Sequence, residues 1–192
     1  NTAYGKQMLN LGKLDFQSAR TSKLGGLSRL SFTSTENEIR LDIDSINIDI
    51  GWIILTKALE PGESIHISSP YTLKIPESFS RLGRAGDSYQ LTQWYPHIAV
   101  LDENGWNMMP YLDQGEYYND FADYDVTIET PAGYIVAATG MTSSMPGANS
   151  TTQWHCKAEN VIDFAWFASP TFRHETYLVD VGSDHPVELH LY

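Results

Sequence analysis

The sequence predicts an all-β domain, because apolar and polar residues alternate with a period of two over much of its 192 residues. Ile and Leu alternate with charged residues in 39–43, and Ile alternates in the opposite phase in 46–50. This change of phase requires a turn or a bulge at Asp44-Ser45, since a shift of one residue moves every side chain to the other face of a strand. Gly and Pro pairs between the alternating runs are typical of tight turns. We therefore expect mostly antiparallel strands with at most one short helix.

The predicted elements begin with the one segment that has helical spacing, Thr2–Leu11, which Gly12 is expected to end. Residues 17–28 are rich in Ser, Gly and Thr and are predicted to form a mobile loop. Strands are then predicted wherever the period of two recurs between turn residues. These are 39–43, Trp52–Thr56, Ser64–Ser68, Tyr71–Ile75, Gln90–Trp94, Ile98–Leu101, Tyr124–Thr130, Tyr134–Thr139, Thr152–Cys156, Phe164–Ala168, Glu175–Val181 and Pro186–Tyr192.

Three short motifs predict the turns between these strands. Pro61-Gly62 combines a fixed φ with a residue that is free to take a positive φ. Asn104-Gly105 is a strong hairpin signal. Pro131-Ala132-Gly133 separates two alternating runs in the same way.

Composition limits the classes of partner. The chain carries 24 acidic and 12 basic residues, a net charge of -12, so repulsion disfavours nucleic acid and anionic membranes. No apolar run reaches the roughly 18 residues of a membrane span, so no membrane span is predicted. The single cysteine, Cys156, has no partner for an intrachain disulfide and is expected to be a small buried hydrophobe. The length suits one core, and we predict a single domain over residues 1–192.

Residues 89–125 are rich in aromatic side chains and contain no Lys or Arg. Such a segment indicates a surface that meets a second domain or a ligand, because bare aromatic patches are uncommon on monomers. The alternative is a large, loop-rich core.

Six blocks of sequence together carry a resemblance to a known family. In chain order they are Leu59–Glu63 (LEPGE), Thr92–Pro96 (TQWYP), 109–118 (MPYLDQGEYY), Phe121–Val126 (FADYDV), Pro131–Gly140 (PAGYIVAATG) and Val161–Trp166 (VIDFAW). In this order they resemble the amino-terminal domain of bacterial M1-family (gluzincin) zinc aminopeptidases. The resemblance spans residues 59–172 and is weak before residue 39. It implies a saddle-like β-sandwich that caps a catalytic domain of the same chain, lacks its own first strands and helps to bind a peptide substrate in an exported bacterial protein.

The resemblance implies two substrate-binding residues. Gln93 matches a Gln that lines the substrate pocket of the family, and its amide can donate to a carbonyl and accept from an amine. Many members have a Glu two residues later that holds the substrate's free α-amine, but this chain has Tyr95. The lost charge puts strict aminopeptidase preference in doubt, although a phenol can stack or form a hydrogen bond instead. The alternative for Gln93 is a hydrogen bond to a neighbouring strand.

The chemistry of the family requires a zinc motif that these residues lack. His-Glu-x-x-His on one helix places two ligands on the same face. The nearest sequence here, His174-Glu175-Thr176-Tyr177-Leu178, has Leu at the second ligand position and alternates like a strand. We therefore predict no catalytic residue, no metal ligand and no cofactor in this fragment, and expect the zinc in a catalytic domain beyond Tyr192.

Two further alternatives remain from the sequence. Clustered carboxylates in 113–125 suggest a calcium site, but they lack the spacing of a calcium loop, so a solvated acidic surface is favoured; they are Asp113, Glu116, Asp120, Asp123 and Asp125. The whole chain could instead be a non-catalytic β-sandwich for adhesion or carbohydrate binding, with Trp94 and Trp106 in a stacking platform, or an inactive M1-like scaffold.

Overall fold

The structure, a computed structural model, describes residues 2–78, 80–112, 118–182 and 185–192. Strands dominate it, and the predicted all-β, sandwich-like class is confirmed. The elements in chain order are α1 (Ala3–Asn10), α2 (Asp15–Ser18), a 3-10 turn (Thr21–Lys23), β1 (Gly26–Ser28), β2 (Ile39–Ile43), β3 (Gly51–Leu55), β4 (Thr72–Lys74), β5 (Gly83–Ala85), β6 (Ser88–Leu91), β7 (Val100–Asp102), β8 (Gly105–Asn107), β9 (Ala122–Pro131), β10 (Ile135–Ala138), β11 (Met141–Pro146), β12 (Thr151–Val161), β13 (Trp166–Ser169), β14 (Glu175–Val179) and β15 (Val187–Leu191).

The chain groups into two compact units. Unit 1 comprises Asn1–Phe79 and His97–Asp120, and unit 2 comprises Ser80–Pro96 and Phe121–Tyr192. In unit 1 the strands form two-stranded antiparallel ribbons, β1-β4, β2-β3 and β7-β8. In unit 2 they form a four-stranded sheet, β10-β13-β6-β5, a three-stranded sheet, β11-β12-β9, and the ribbon β14-β15. The single domain over 1–192 stays a prediction.

The predicted helix is confirmed at the start of unit 1. The Thr2 hydroxyl accepts a hydrogen bond from the Gly5 backbone N–H at 3.1 Å and so caps α1. Gly12 follows the helix at a φ of 70°, which is the region that glycine adopts at low cost. Met8 is the buried residue of α1. The next residues form the short α2, the 3-10 turn and β1 rather than one continuous loop.

The change of phase after β2 is resolved by a turn. Asp44 Oδ1 accepts hydrogen bonds from the backbone N–H groups of Ile46 at 2.8 Å and Asn47 at 2.6 Å. An Asp side chain that binds the backbone in this way stabilises a tight turn. The second alternating run therefore does not continue as a strand until β3 begins at Gly51.

Two of the predicted turns are confirmed by their backbone geometry. Gly62 has a φ of 87°, and the Glu63 N–H donates to the Glu60 carbonyl at 3.0 Å. Gly105 has a φ of 104° and joins β7 to β8 in an antiparallel hairpin. The predicted strand Ser64–Ser68 is wrong, because this segment makes a single bridge, between Thr33 and Ser68, and has no ladder partner.

The third predicted turn carries the chain from one sheet of unit 2 to the other. Gly133 has a φ of 93° and separates β9 of the three-stranded sheet from β10 of the four-stranded sheet. Buried side chains from both sheets then pack in one cluster, which we call the unit 2 core. It consists of Ile128, Val136, Cys156, Phe164 and Ala168. Cys156 is fully buried as predicted, and burial raises the pKa of its thiol.

In the part of the chain that the structure describes, no helix is long and apolar enough to span a bilayer.

Candidate functional site

The candidate site is the segment that follows β6 in unit 2. The strand was predicted to run to Trp94 but ends at Leu91. Beyond it the Thr92 hydroxyl donates to the Arg81 carbonyl at 2.8 Å, and Gln90 Nε2 donates to the Ser80 carbonyl at 2.8 Å. These two bonds hold the end of β6 against its own unit. Gln93 therefore leaves the sheet from a fixed position.

Gln93 combines two features that cost free energy. Its backbone has a φ of 52°, in the left-handed region that non-glycine residues seldom adopt. Its side-chain oxygen Oε1 is buried and accepts no hydrogen bond. An unsatisfied buried polar group costs about 1–3 kcal/mol, and strained backbone conformations concentrate at functional sites. The alternative predicted for Gln93, a hydrogen bond to a neighbouring strand, is not the arrangement found.

Trp94 anchors the chain directly after Gln93. Its indole N–H donates to the Phe164 carbonyl at 3.1 Å, and its ring meets the ring of Trp166 edge to face at 6.3 Å between centroids. Both rings pack against the unit 2 core. The Trp166 indole nitrogen is a second buried atom without a hydrogen-bond partner. Two unsatisfied polar atoms in one neighbourhood are unusual for a folded protein and call for a functional explanation.

Tyr95 is a second anchor after Gln93. Its hydroxyl lies 2.8 Å from the hydroxyl of Tyr124 and 3.0 Å from Asp163 Oδ1. The Tyr95 hydroxyl is the donor to both oxygens, which share its single proton. Asp163 Oδ1 also accepts the Phe164 N–H at 2.7 Å. Tyr95 thus joins the segment to the loop that leads into β13.

This environment keeps the Tyr95 phenol protonated. Burial, then the Tyr124 hydroxyl and the Asp163 carboxylate, raise the pKa of Tyr95 far above its ordinary value. The hydroxyl can therefore serve as a neutral donor but not as a base. Its predicted contact with substrate stays a prediction, and the structure adds that this hydroxyl is already engaged within unit 2.

The predicted acidic cluster divides among separate partners. Asp123 Oδ1 accepts the Asn160 N–H at 2.8 Å, and Asp125 contacts His155 Nε2 at 2.6 Å and Lys157 Nζ at 3.3 Å. The hydrogen bond from His155, followed by that from Lys157, lowers the pKa of Asp125. Asp113 and Glu116 lie outside the described residues. Among the residues that are described, no three His, Cys, Asp or Glu side chains are grouped to hold a metal ion.

The residues that resemble a zinc motif are confirmed to be extended. His174 directly precedes β14, and Glu175 and Leu178 lie within that strand. On a strand, residues four apart are too distant to share a metal ion. These residues therefore do not fit the catalytic zinc of the M1 family.

The two tryptophans of the predicted stacking platform belong to different units. Trp94 is half-buried against the unit 2 core. Trp106 is 50% exposed on β8 of unit 1. An exposed indole is available for stacking on a ligand, whereas the indole of Trp94 is packed within its own unit.

Comparison with known proteins found no matching family model, no matching curated protein and no matching solved structure. The resemblance to the M1 family therefore stays a prediction.

Three partners of the candidate site were not singled out from the sequence. Asp163, in the loop before β13, and Tyr124, in β9, contact Tyr95. Trp166, in β13, contacts Trp94. All three lie within blocks of the M1 resemblance. Their position in these blocks was the one signal in the sequence that could have linked them to Gln93, since each of them is far from Gln93 along the chain.

Proposed function

We propose that this chain is the amino-terminal, substrate-capping β domain of an M1-type zinc metallopeptidase and that Gln93 binds the end of the peptide substrate. The observation that carries the proposal is the state of Gln93, a strained residue with a buried amide oxygen that accepts no hydrogen bond. An amine or peptide N–H of a ligand would satisfy this oxygen. The free energy that the unsatisfied oxygen costs in the free domain would then be recovered on binding.

The anchors on either side support the proposal, because a residue that orients a substrate must itself be held in place. The Trp94 bond to Phe164 and the Tyr95 bond to Asp163 both end in the same short loop. These two bonds fix the chain directly after Gln93, and the bonds of Gln90 and Thr92 fix it directly before Gln93. Its amide carries no charge, so it can orient a peptide end without attracting a competing ion.

The zinc chemistry of the family would lie outside these residues, which do not fit a catalytic zinc. We therefore assign this chain the binding and orientation of the substrate. The zinc and the general base are expected in the catalytic domain of the same protein.

The experiment compares kcat/KM for Gln93→Ala and the unmodified enzyme, in a protein that contains residues 1–192 followed by its catalytic domain. A neutral hydrogen bond contributes about 0.5–1.5 kcal/mol, and more when its loss leaves a buried group unsatisfied, so kcat/KM should fall about tenfold. Zinc content and folding should not change, because Gln93 is neither a ligand nor part of the unit 2 core.

The matched control is Gln153→Ala, which removes the same side chain from β12 of the same unit. We expect this variant to keep its kcat/KM. Tyr95→Phe removes only the hydroxyl that binds Asp163, so a loss comparable to that of Gln93→Ala would show that the anchor contributes to the site. Unchanged kinetics for Gln93→Ala would contradict the proposal and favour an inactive scaffold or a binding module.

A further inference from the structure

The ribbon β14-β15 of unit 2 brings two histidines together from distant positions in the sequence. His174 directly precedes β14, and His190 lies in β15 opposite Thr176. His174 Nε2 and His190 Nδ1 are 2.9 Å apart. The two rings lie at 20° to each other with their centroids 5.1 Å apart, so they meet end to end. One N–H therefore donates to the other nitrogen.

A third donor atom lies beside this pair. The Thr176 hydroxyl oxygen is 3.5 Å from His174 Nε2 and 3.5 Å from His190 Nδ1. A point inside this triangle is about 2 Å from all three atoms, which is the usual length of a bond between a metal and an imidazole nitrogen. We propose that His174, His190 and Thr176 form a binding site for a divalent transition-metal ion, Cu²⁺ or Ni²⁺.

The preference for these ions follows from the type of ligand. Imidazole nitrogens suit Cu²⁺, Ni²⁺ and Zn²⁺, and the affinity of a given site generally rises through Ni²⁺ to Cu²⁺ and falls again at Zn²⁺. Zn²⁺ should therefore bind more weakly than Cu²⁺ here.

Glu188 prepares His190 to act as a ligand. Its Oε1 lies 3.6 Å from His190 Nε2, the nitrogen that faces away from His174. A carboxylate near Nε2 favours the proton on that nitrogen and leaves the lone pair of Nδ1 free for a metal. Glu188 is therefore a positioning residue rather than a ligand.

The ligands can adopt the bound geometry because they are at the surface. To bind a metal, the two imidazole rings must rotate so that their nitrogens point toward Thr176. They are free to do so because the hydrogen-bonded pair is exposed. The ring of Tyr192 stacks on that of His174 at 4.5 Å with the planes 1° apart.

The site is separate from the one proposed for Gln93, since it uses different residues and needs no peptidase activity. It also differs from the zinc motif considered in the sequence, because its second histidine comes from the opposite strand.

The test is a titration of the 192-residue chain with Cu²⁺ or Ni²⁺ in a non-coordinating buffer near neutral pH. Quenching of tyrosine fluorescence gives the affinity, since Tyr192 stacks on a ligand, and electron paramagnetic resonance of the Cu²⁺ complex reports bound nitrogens. We expect one ion per chain, coordinated by two imidazole nitrogens. His174→Ala and His190→Gln should each weaken binding at least tenfold, Glu188→Gln should weaken it several-fold, and Zn²⁺ should bind more weakly than Cu²⁺.

Matched controls are His66→Ala and His155→Ala, because each removes a histidine that is paired with a carboxylate elsewhere. They should bind the metal like the unmodified chain, and circular dichroism should show that every variant keeps its strands. Binding that survives loss of both His174 and His190, or the absence of Cu²⁺ binding by the unmodified chain, would overturn the proposal.

Discussion

Units 1 and 2 differ in how they bury apolar side chains. Of the buried apolar residues that the structure describes, Met8 alone belongs to unit 1. The others, Leu91, Ile128, Val136, Cys156, Ala158, Phe164 and Ala168, belong to unit 2. Unit 1 has two-stranded ribbons, whereas unit 2 has sheets of three and four strands. Ribbons of two strands are marginal by themselves, and wider sheets with an apolar face are stable.

The alternation of apolar and polar residues in the sequence does not distinguish the exposed ribbons of unit 1 from the buried sheets of unit 2. In unit 1, Ile46 and Ile48 are 72% and 60% exposed although they belong to an alternating run. In unit 2, Ile128 and Cys156 also alternate, but they are buried because the two sheets pack face to face. The ribbon β14-β15 belongs to unit 2, yet each of its residues is exposed. The width of the sheet therefore decides burial, and membership of a unit does not.

The largest expected difference between the units is in the free energy of unfolding that is lost when one side chain in each unit is truncated. Phe164→Ala removes a fully buried ring from the unit 2 core and should lower the free energy of unfolding by about 3–5 kcal/mol. Ile48→Ala removes an exposed side chain in unit 1 and should change it by less than about 0.5 kcal/mol. Urea denaturation of the two variants measures both values. Equal losses would show that unit 1 contributes to stability as much as the unit 2 core does.

A smaller difference is expected between two glycines. Gly140 has a φ of 83°, and a Cβ there would overlap the Lys157 carbonyl and lie 2.7 Å from the Ala158 Cβ. Gly105 in unit 1 has a φ of 104°, and a Cβ there would meet open space. Gly140→Ala should therefore cost at least about 2 kcal/mol, from backbone strain and overlap together, and Gly105→Ala about 1 kcal/mol, from strain alone.

Thermal denaturation compares the two glycine variants. If Gly105→Ala destabilises the chain as much as Gly140→Ala does, then the close approach of the β10-β11 turn to β12 is not what restricts residue 140 to glycine.

Unit 1, although it buries little, contains a carboxyl group whose pKa is strongly shifted. Hydrogen bonds from Ser34 and then His66 lower the pKa of Glu36 from its usual 4.5 to about 2. A pKa that is lower in the folded than in the unfolded chain stabilises the fold above the unfolded value. This stabilisation should be complete above about pH 4.5 and should disappear as the pH falls toward 2.

Nuclear magnetic resonance titration of the Glu36 carboxyl carbon measures this pKa. Ser34→Ala removes the largest cause and should raise it toward 4.5. Thr35→Ala, next to it, is the control and should leave it unchanged. A pKa near 4.5 in the unmodified chain would show that the exposed contacts of unit 1 do not persist in solution.

The parts of the fold that were predicted correctly depend on residues that are close together in the sequence. Helix α1 follows from its spacing and from Thr2 and Gly12, and the hairpin β7-β8 follows from Asn104-Gly105. The missed strands β1, β5 and β11 have weak alternation and form only because a partner strand is present. The strand predicted at Ser64–Ser68 failed for the converse reason, since alternation without a partner does not make a ladder.

The sequence by itself determined the fold class, the local turns, the acidic balance of charge and, through a resemblance, the choice of Gln93 as a candidate. Only the tertiary structure decided that Gln93 is strained with a buried, unsatisfied oxygen, that Tyr95 binds Asp163, and that His174 meets His190. Tyr95 and Asp163 are 68 residues apart in the chain. The physical reason is that turns and helix caps depend on a few consecutive residues, whereas burial and paired side chains depend on which strands lie side by side.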